Sequence, residues 1–170
     1  MSDVVIRRLT PEDVEQYREC RLEALQDSPT AFLSSYEEES QRSLEELSDR
    51  FPEQAPEHAT FGAFDGERLV GLTGIYREPR IKRRHKANVV AVFVRPEYRG
   101  RGIGKQLVSA AIAFGRTIDG VERLELSVEA TNETAKAVYR SLGFVTWGVE
   151  PEFLLYDGKR YDEESMSLKL

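Results

Sequence analysis

The chain has 170 residues, with 30 acidic against 24 basic side chains and a net charge of −6. Hydrophobic residues make up 40% and charged residues 32%, which fits one folded domain over residues 1–170 and excludes a disordered chain. The longest aliphatic or aromatic run, Val89 to Val94, is six residues, against about 20 for a membrane helix, so no membrane partner is expected.

Met1-Ser2-Asp3 becomes charged at once and has no apolar signal core, so a cytoplasmic location is expected. Cys20 is the lone cysteine and can close no internal disulfide. One thiol with two distant histidines, His58 and His85, predicts no metal site.

Taken in order, Val4 to Ile6 reads as a first strand. Thr10-Pro11-Glu12-Asp13 opens a helix, with Thr as N-cap and Pro at the first helical position. Val14, Tyr17, Leu22 and Leu25 carry it to about Gln26, and Ser28-Pro29 breaks it. Ser43-Leu-Glu-Glu46 has capping-box spacing, which predicts a short helix ending near Phe51, with a loop from Pro52 to Pro56. Ala59–Phe64 and Arg68–Tyr76 are strand-like around an Asp65-Gly66 turn. Asn88 to Val94 is β-branched, as in a strand buried on both faces. A helix over 102–117, an alternating strand over 123–128 and a helix over 132–142 stopped by Gly143 follow. Two more strands, about 144–155 and 161–169, turn at Asp157-Gly158. The order βααβββαβαββ predicts an α/β (α+β) domain with a mixed sheet.

Residues 77–86 hold six Lys/Arg and one Glu, so this segment carries +5 and the other 160 residues −11. It reads as a solvated loop, a site for an acidic partner, or a dimer contact. No aromatic residue interleaves it, and an acidic chain repels a phosphate backbone, so no nucleic-acid partner is expected.

The chemistry is concentrated in Val92-Phe-Val-Arg-Pro-Glu-Tyr-Arg-Gly-Arg-Gly-Ile-Gly-Lys105. A strand ends and a turn follows. Glycines at 100, 102 and 104 then lead into a helix whose free N–H groups favour an anion, with Arg99, Arg101 and Lys105 adding charge. This predicts a phosphate or pyrophosphate seat. Gln106 after Lys105, and Arg99 where a glycine is needed, exclude the P-loop pattern. Lys105 breaks the dinucleotide-binding pattern GxGxxG.

Arg99-Gly-Arg-Gly102-Ile-Gly104, preceded by Val94-Arg-Pro96-Glu-Tyr98, resembles the acyl-CoA loop of the GCN5-related N-acetyltransferase (GNAT) superfamily. Asn132-Glu-Thr-Ala135 and Tyr139-Arg-Ser-Leu-Gly-Phe144 resemble that family's later motif. The likeness is tight over 88–146 and loose beyond. It implies a mostly antiparallel central sheet flanked by helices, and acetyl-CoA as co-substrate without a metal. The acceptor would be a small-molecule or peptide amine, attacked directly in a ternary complex.

By resemblance, the backbone of Val92, Phe93 and Val94 lies along the pantetheine arm, with the Val94 amide polarising the thioester carbonyl. The amides of Gly100, Arg101, Gly102, Ile103, Gly104 and Lys105 hold the diphosphate beside Arg99. Asn132 hydrogen-bonds near the pantetheine, and Tyr139 protonates the leaving thiolate as a phenol of pKa near 10. Lys136 and Arg140 meet the 3′-phosphate or form a solvated face. Where some relatives carry an acid near the start of the central strand, this chain has Asn88. The base is then a water chain, Glu129, or one of Glu37, Glu38 and Glu39. Cys20 reads as a core residue, so no acyl-cysteine is expected. Phe32, Tyr36, Trp147, Phe153 and Tyr156 are candidates for the acceptor side. Homodimers are common among such proteins. A CoA-binding sensor that has lost the chemistry is the alternative, and a nucleic-acid binder through 77–86 a third.

Overall fold

The computed structural model describes residues 3–52 and 55–170; Met1, Ser2 and two residues of the 52–56 loop, Glu53 and Gln54, lie outside the described residues. Strand β1 (Val5–Arg8) leads through a tight turn at Pro11–Asp13 into α1 (Val14–Asp27). Asp13 closes that start: its carboxylate accepts from the Thr10 amide at 2.9 Å and from Arg7 at 2.7 and 2.8 Å. The segment predicted to hold one helix holds two single turns, α2 (Tyr36–Ser40) and α3 (Leu44–Ser48). Each has its own capping box, Ser35 with Glu38 and Ser43 with Glu46, so the chain restarts the helix after only five residues.

Strands β2 (His58–Asp65), β3 (Arg68–Arg77) and β4 (Lys86–Val94) form a meander, followed by α4 (Ile103–Gly115), β5 (Arg123–Glu129), α5 (Glu133–Ser141), β6 (Val145–Tyr156) and β7 (Lys159–Lys169). The seven strands make one sheet in the order β1-β2-β3-β4-β5-β7-β6. Every neighbouring pair is antiparallel except β4–β5. The parallel pair is the one joined through a helix, α4, as its geometry requires.

Helices cover both faces. Tyr17, Cys20 and Ala24 of α1 pack with Leu47, Phe51, Phe64, Leu72 and Phe93. On the other face Ile103 and Leu107 of α4 meet Ala63 and Val70, while Val108, Ala111 and Ile112 join Leu124, Leu126, Val128, Tyr139 and Met166. Arg95, buried just after β4, ties β3 to α1: it donates to the Leu69 carbonyl at 2.9 Å, to Glu19 at 3.0 Å and to Glu23. Among the described residues no helix is long and apolar enough to cross a membrane.

Candidate active site

The site begins where two strands part. β4 and β5 pair over only three positions, Lys86↔Arg123, Ala87↔Leu124 and Asn88↔Glu125. Farther along β4 the register with β3 slips: Gly74 faces Val90 and Leu72 faces Phe93, so Ala91 and Val92 together oppose Thr73. This is a β-bulge, which bends its strand and leaves a residue out of the ladder. Ala91 takes φ 55°, a left-handed conformation that costs an L residue about 1–2 kcal/mol. The Thr73 hydroxyl donates to the Val90 carbonyl at 3.1 Å and steadies the bend.

The bulge also inverts the strand's facing. Ala87, Val89 and Val92 belong to the α4–α5 core, whereas Ala91 and Phe93 belong to the α1 core. The expectation that 88–94 is buried on both faces therefore fails at Val90. It is 39% exposed because it lines the gap rather than a neighbouring strand.

At the end of β4 a turn at Pro96–Tyr98 leads to the glycines. Gly100 and Gly102 sit at φ 75° and 76°, and a Cβ on either would meet nothing within 4 Å. Gly102 is the N-cap of α4, and the first helical bond runs from the Gln106 amide to its carbonyl at 3.1 Å. The amides of Ile103, Gly104 and Lys105 thus have no intrahelical acceptor. Unpaired amides at a helix start, beside glycines that leave the surface free of side chains, are what a diphosphate seat requires, so the predicted residues fit the group. Arg99 is partly committed elsewhere, donating to the Val94 carbonyl at 3.0 Å and pairing with Asp27. Arg101 donates to the Glu97 carbonyl at 3.1 Å. Lys105 is exposed.

The second motif follows β5. The Asn132 side-chain oxygen caps α5 by accepting from the Ala135 amide at 3.1 Å, leaving its NH2 group for other partners. Tyr139 is 7% exposed and packs edge-on to Phe144 at 6.1 Å between ring centres. Its hydroxyl has no hydrogen-bond partner among the described residues, and burial pushes its pKa up to about 12, above the expected value near 10. Lys136 is not available for a 3′-phosphate. It is buried, donates to the Ala130 carbonyl at 2.6 Å and pairs with Glu133 at 2.6 Å and Glu164 at 3.0 Å. Arg140 leans on the same two carboxylates.

On the opposite face of β5 the parting strands open into a cavity of about 620 Å³, within the range of small-molecule sites. Glu125, Ser127 and Glu129 point to it, alternating with Leu124, Leu126 and Val128 in the core. Register places Glu129 opposite Glu163 on one side, and Glu150 opposite Glu163 on the other. Three carboxylates therefore stand in a row across β5, β7 and β6, an arrangement that repels itself unless a cation enters. Burial, with Glu150 adding to it, raises the Glu163 pKa, while Ser127 offsets part of the shift. Glu163 Oε2 is sealed from solvent and has no partner among the described residues.

Of the candidate bases, Glu38 is taken by its capping box, and Glu39 is buried with Arg50 at 2.6 Å. Glu37 lines a smaller hollow of about 340 Å³ with Phe32, Tyr36 and Tyr156. Asn88 lines the main cavity and donates to Glu78 at 2.7 Å. Glu163 escaped the sequence reading. The signal was there in Asp162-Glu163-Glu164, since a run of acids along a strand must turn one of them inward.

The basic segment is largely neutralised within the fold. Arg77 and Arg84 share Glu57, Arg83 bridges Glu78 and Glu125, and Lys86 also holds Glu125. Glu125 is thereby removed from the acidic row. Among the described residues no group of three His, Cys, Asp or Glu side chains could hold a metal ion.

The Acetyltransferase (GNAT) family model matches residues 19–144, and the chain belongs to that family. The N-alpha-acetyltransferase RimI of Mycobacterium tuberculosis is 36% identical over 104 residues, 61% of this chain and 63% of that protein. ML0378 of Mycobacterium leprae is 37% identical over 92 residues, 54% of this chain, which spans only 24% of that protein. Spermidine N(1)-acetyltransferase of Vibrio cholerae is 25% identical over 134 residues, 79% of this chain and 78% of that one. Among solved structures, YncA of Salmonella typhimurium with its cofactor acetyl-CoA aligns with a TM-score of 0.85 at 21% identity, over 99% of this chain and 95% of that one. The phosphinothricin acetyltransferase of Sinorhizobium meliloti in complex with acetyl-CoA has a TM-score of 0.83 at 22% identity, over 98% and 88%. These structural likenesses establish the GNAT fold.

Proposed function

We propose that the chain is an acetyl-CoA-dependent N-acetyltransferase that moves an acetyl group to a primary amine of a small molecule or peptide, by direct attack in a ternary complex. One juxtaposition carries the reading. The strand whose bulge opens the cleft leads, through one turn and the glycines, to the unpaired amides at the start of α4. Relatives named N-alpha-acetyltransferase and spermidine N(1)-acetyltransferase support nitrogen as the acceptor.

Acetyl-CoA, when bound, supplies an activated acyl group and a thiolate leaving group. The amides of 100–105 hold its diphosphate, and the backbone of Val92 to Val94 accompanies its arm as a neighbouring strand would. The Val94 amide is a fixed dipole for the carbonyl oxygen as negative charge grows there. Tyr139 donates its proton to the departing sulfur. Against a thiol of ordinary pKa, about 8.5, a phenol at about 12 would be a poor donor. Burial lifts thiols too, and Cys20 in this same protein is pushed up to about 12. A leaving sulfur shielded from water is raised in the same direction, which narrows the gap between it and the phenol.

The amine arrives from the other face of the sheet as an ammonium, which the row of Glu129, Glu150 and Glu163 attracts. Glu163, with its raised pKa, takes the proton directly or through water. Cys20 is fully buried and too weakly acidic to serve as an acyl carrier, which favours direct transfer. Thiol release from acetyl-CoA against a panel of amines tests the proposal. Turnover with any amine supports it. Coenzyme A binding without turnover would favour the sensor, and no heat at millimolar coenzyme A would defeat both.

A further inference from the structure

The cavity has a second charged wall, and its key residue has no use in the reaction above. Arg21, on α1, is 7% exposed and lines the cavity beside Tyr17, Phe32 and Arg50. Its Nε and Nη1 are sealed from solvent and have no hydrogen-bond partner, and Nη2 makes no hydrogen bond either, among the described residues. A buried guanidinium without an acceptor is rare because the desolvation of its donors goes uncompensated.

Its neighbours do not make up the deficit. The Arg21 Cζ lies over the Phe32 ring, 4.7 Å from its centre, a cation–π contact that supplies no hydrogen-bond acceptor. Glu39, the nearby carboxylate, is engaged by Arg50 at 2.6 Å and Arg42 at 3.7 Å. Arg50 also donates to the Tyr17 hydroxyl at 3.3 Å, so this wall carries more positive charge than its single acid can balance. Burial accordingly lowers the Arg21 pKa.

We infer that Arg21 anchors an oxyanion of the acceptor, so that the substrate class is a small amine bearing a carboxylate or a phosphorus acid at its other end. The inference rests on the acetyl-transfer reading and names its acceptor. One wall of the cavity is acidic, with Glu129, Glu150 and Glu163; the other is basic and holds Arg21. An amine with an anionic tail is the ligand whose two charges match both walls. Nη2 shares one edge of the planar fork with Nε and another with Nη1. Nη2 is the guanidinium nitrogen not sealed from solvent, so an oxyanion in the cavity meets Arg21 there first.

Matched acceptors test this. Thiol release from acetyl-CoA is followed with alanine and alaninamide, with 5-aminopentanoate and 5-aminopentanamide, and with 3-aminopropylphosphonate and its dimethyl ester. The acid is expected to exceed its neutral partner by about tenfold or more in kcat/KM for at least one pair, and the pair concerned separates carboxylate from phosphonate. Arg21→Met should bring that ratio to near one, and Arg21→Lys, which keeps the charge but loses the fork, to an intermediate value. A purely structural Arg21 would alter both members of a pair alike. Ratios near one in the wild type, or a ratio kept in Arg21→Met, would overturn the inference while leaving acetyl transfer intact. If neither variant folds, the wild-type ratio decides. If no amine is turned over, the same ratio is read from calorimetric binding of each pair to the protein loaded with coenzyme A.

Discussion

Replacing Gly102 by valine separates the cost of a backbone conformation from the loss of a binding site. Gly102 sits at φ 76° with nothing within 4 Å of an added Cβ, so packing does not oppose the new side chain. The backbone does: the left-handed region costs an L residue about 1–2 kcal/mol. In a domain of this size each kcal/mol lowers Tm by about 2–4 °C, giving a loss of about 2–8 °C. The second effect is local. The valine branches would fill the space in front of the Ile103 to Lys105 amides. Losing one charge-assisted hydrogen bond there is worth about 1.5–3 kcal/mol, or at least tenfold in coenzyme A affinity.

Two other glycines serve as controls. Gly66, in the β2–β3 turn, has φ 59° and equally open surroundings, so Gly66→Val should reproduce the thermal loss and leave coenzyme A binding intact. Gly104 is not left-handed, and its added Cβ would lie 3.8 Å from Val94 Cγ2, an ordinary contact; Gly104→Ala, inside α4, should leave coenzyme A affinity unchanged and Tm unchanged or slightly raised. Calorimetric titration of coenzyme A and thermal melts of the three variants make the comparison. If Gly102→Val loses stability like Gly66→Val but binds coenzyme A as the wild type does, the diphosphate does not sit on this loop.

Tyr139→Phe should cut kcat far more than acetyl-CoA affinity, because it removes a proton and keeps the ring. With the phenol pushed up to about 12, no alkaline loss of activity below pH 10 belongs to it; a limb in that range that vanishes in the variant would refute the raised pKa. Glu163→Gln should lower kcat yet raise Tm at pH 7 by about 1–4 °C, since like charges directly opposite one another destabilise a sheet. The sign follows from linkage: a carboxyl raised on folding contributes stability at acid pH that disappears as pH climbs through its folded value. The variant should therefore also flatten the decline in stability above pH 4.5, the value from which Glu163 is raised, and a Tm lower than wild type would refute the row. Lys136→Met should strip Glu164 of its buried partner and give a large thermal loss with coenzyme A affinity unchanged; a selective loss of affinity would restore the 3′-phosphate role.

The parts legible in the sequence are those whose cause is local. Glycines at 100 and 102 announce a left-handed turn because few other residues accept one, and Ser43 announces a helix start through Glu46; the helix that Ser35 and Glu38 start is not among those expected. The bulge was illegible for the complementary reason. Its left-handed residue is Ala91, which carries no signature, and it is held in place by β3 and the Thr73 hydroxyl rather than by its neighbours in sequence. The acidic row was hidden in the same way, since Glu129, Glu150 and Glu163 become adjacent only when β7 pairs on both sides.

This division also orders the site by function. The half proposed to grip the donor is written in one short segment, because backbone amides at a helix start can be aligned by local conformation alone. The half proposed to select the acceptor is assembled from α1, β5, β6 and β7, so its chemistry lies in side chains that only the fold brings together. Substitutions there can change the acceptor without touching the bulge or the glycine turn. The pair most exposed to such change is Arg21 and Glu163, for a physical reason. Each bears buried polar atoms without a partner, so each is less stable where it stands than an apolar or neutral replacement would be. A ligand with one charge of each sign would satisfy both, so the inferred acceptor would stabilise this cavity by occupying it.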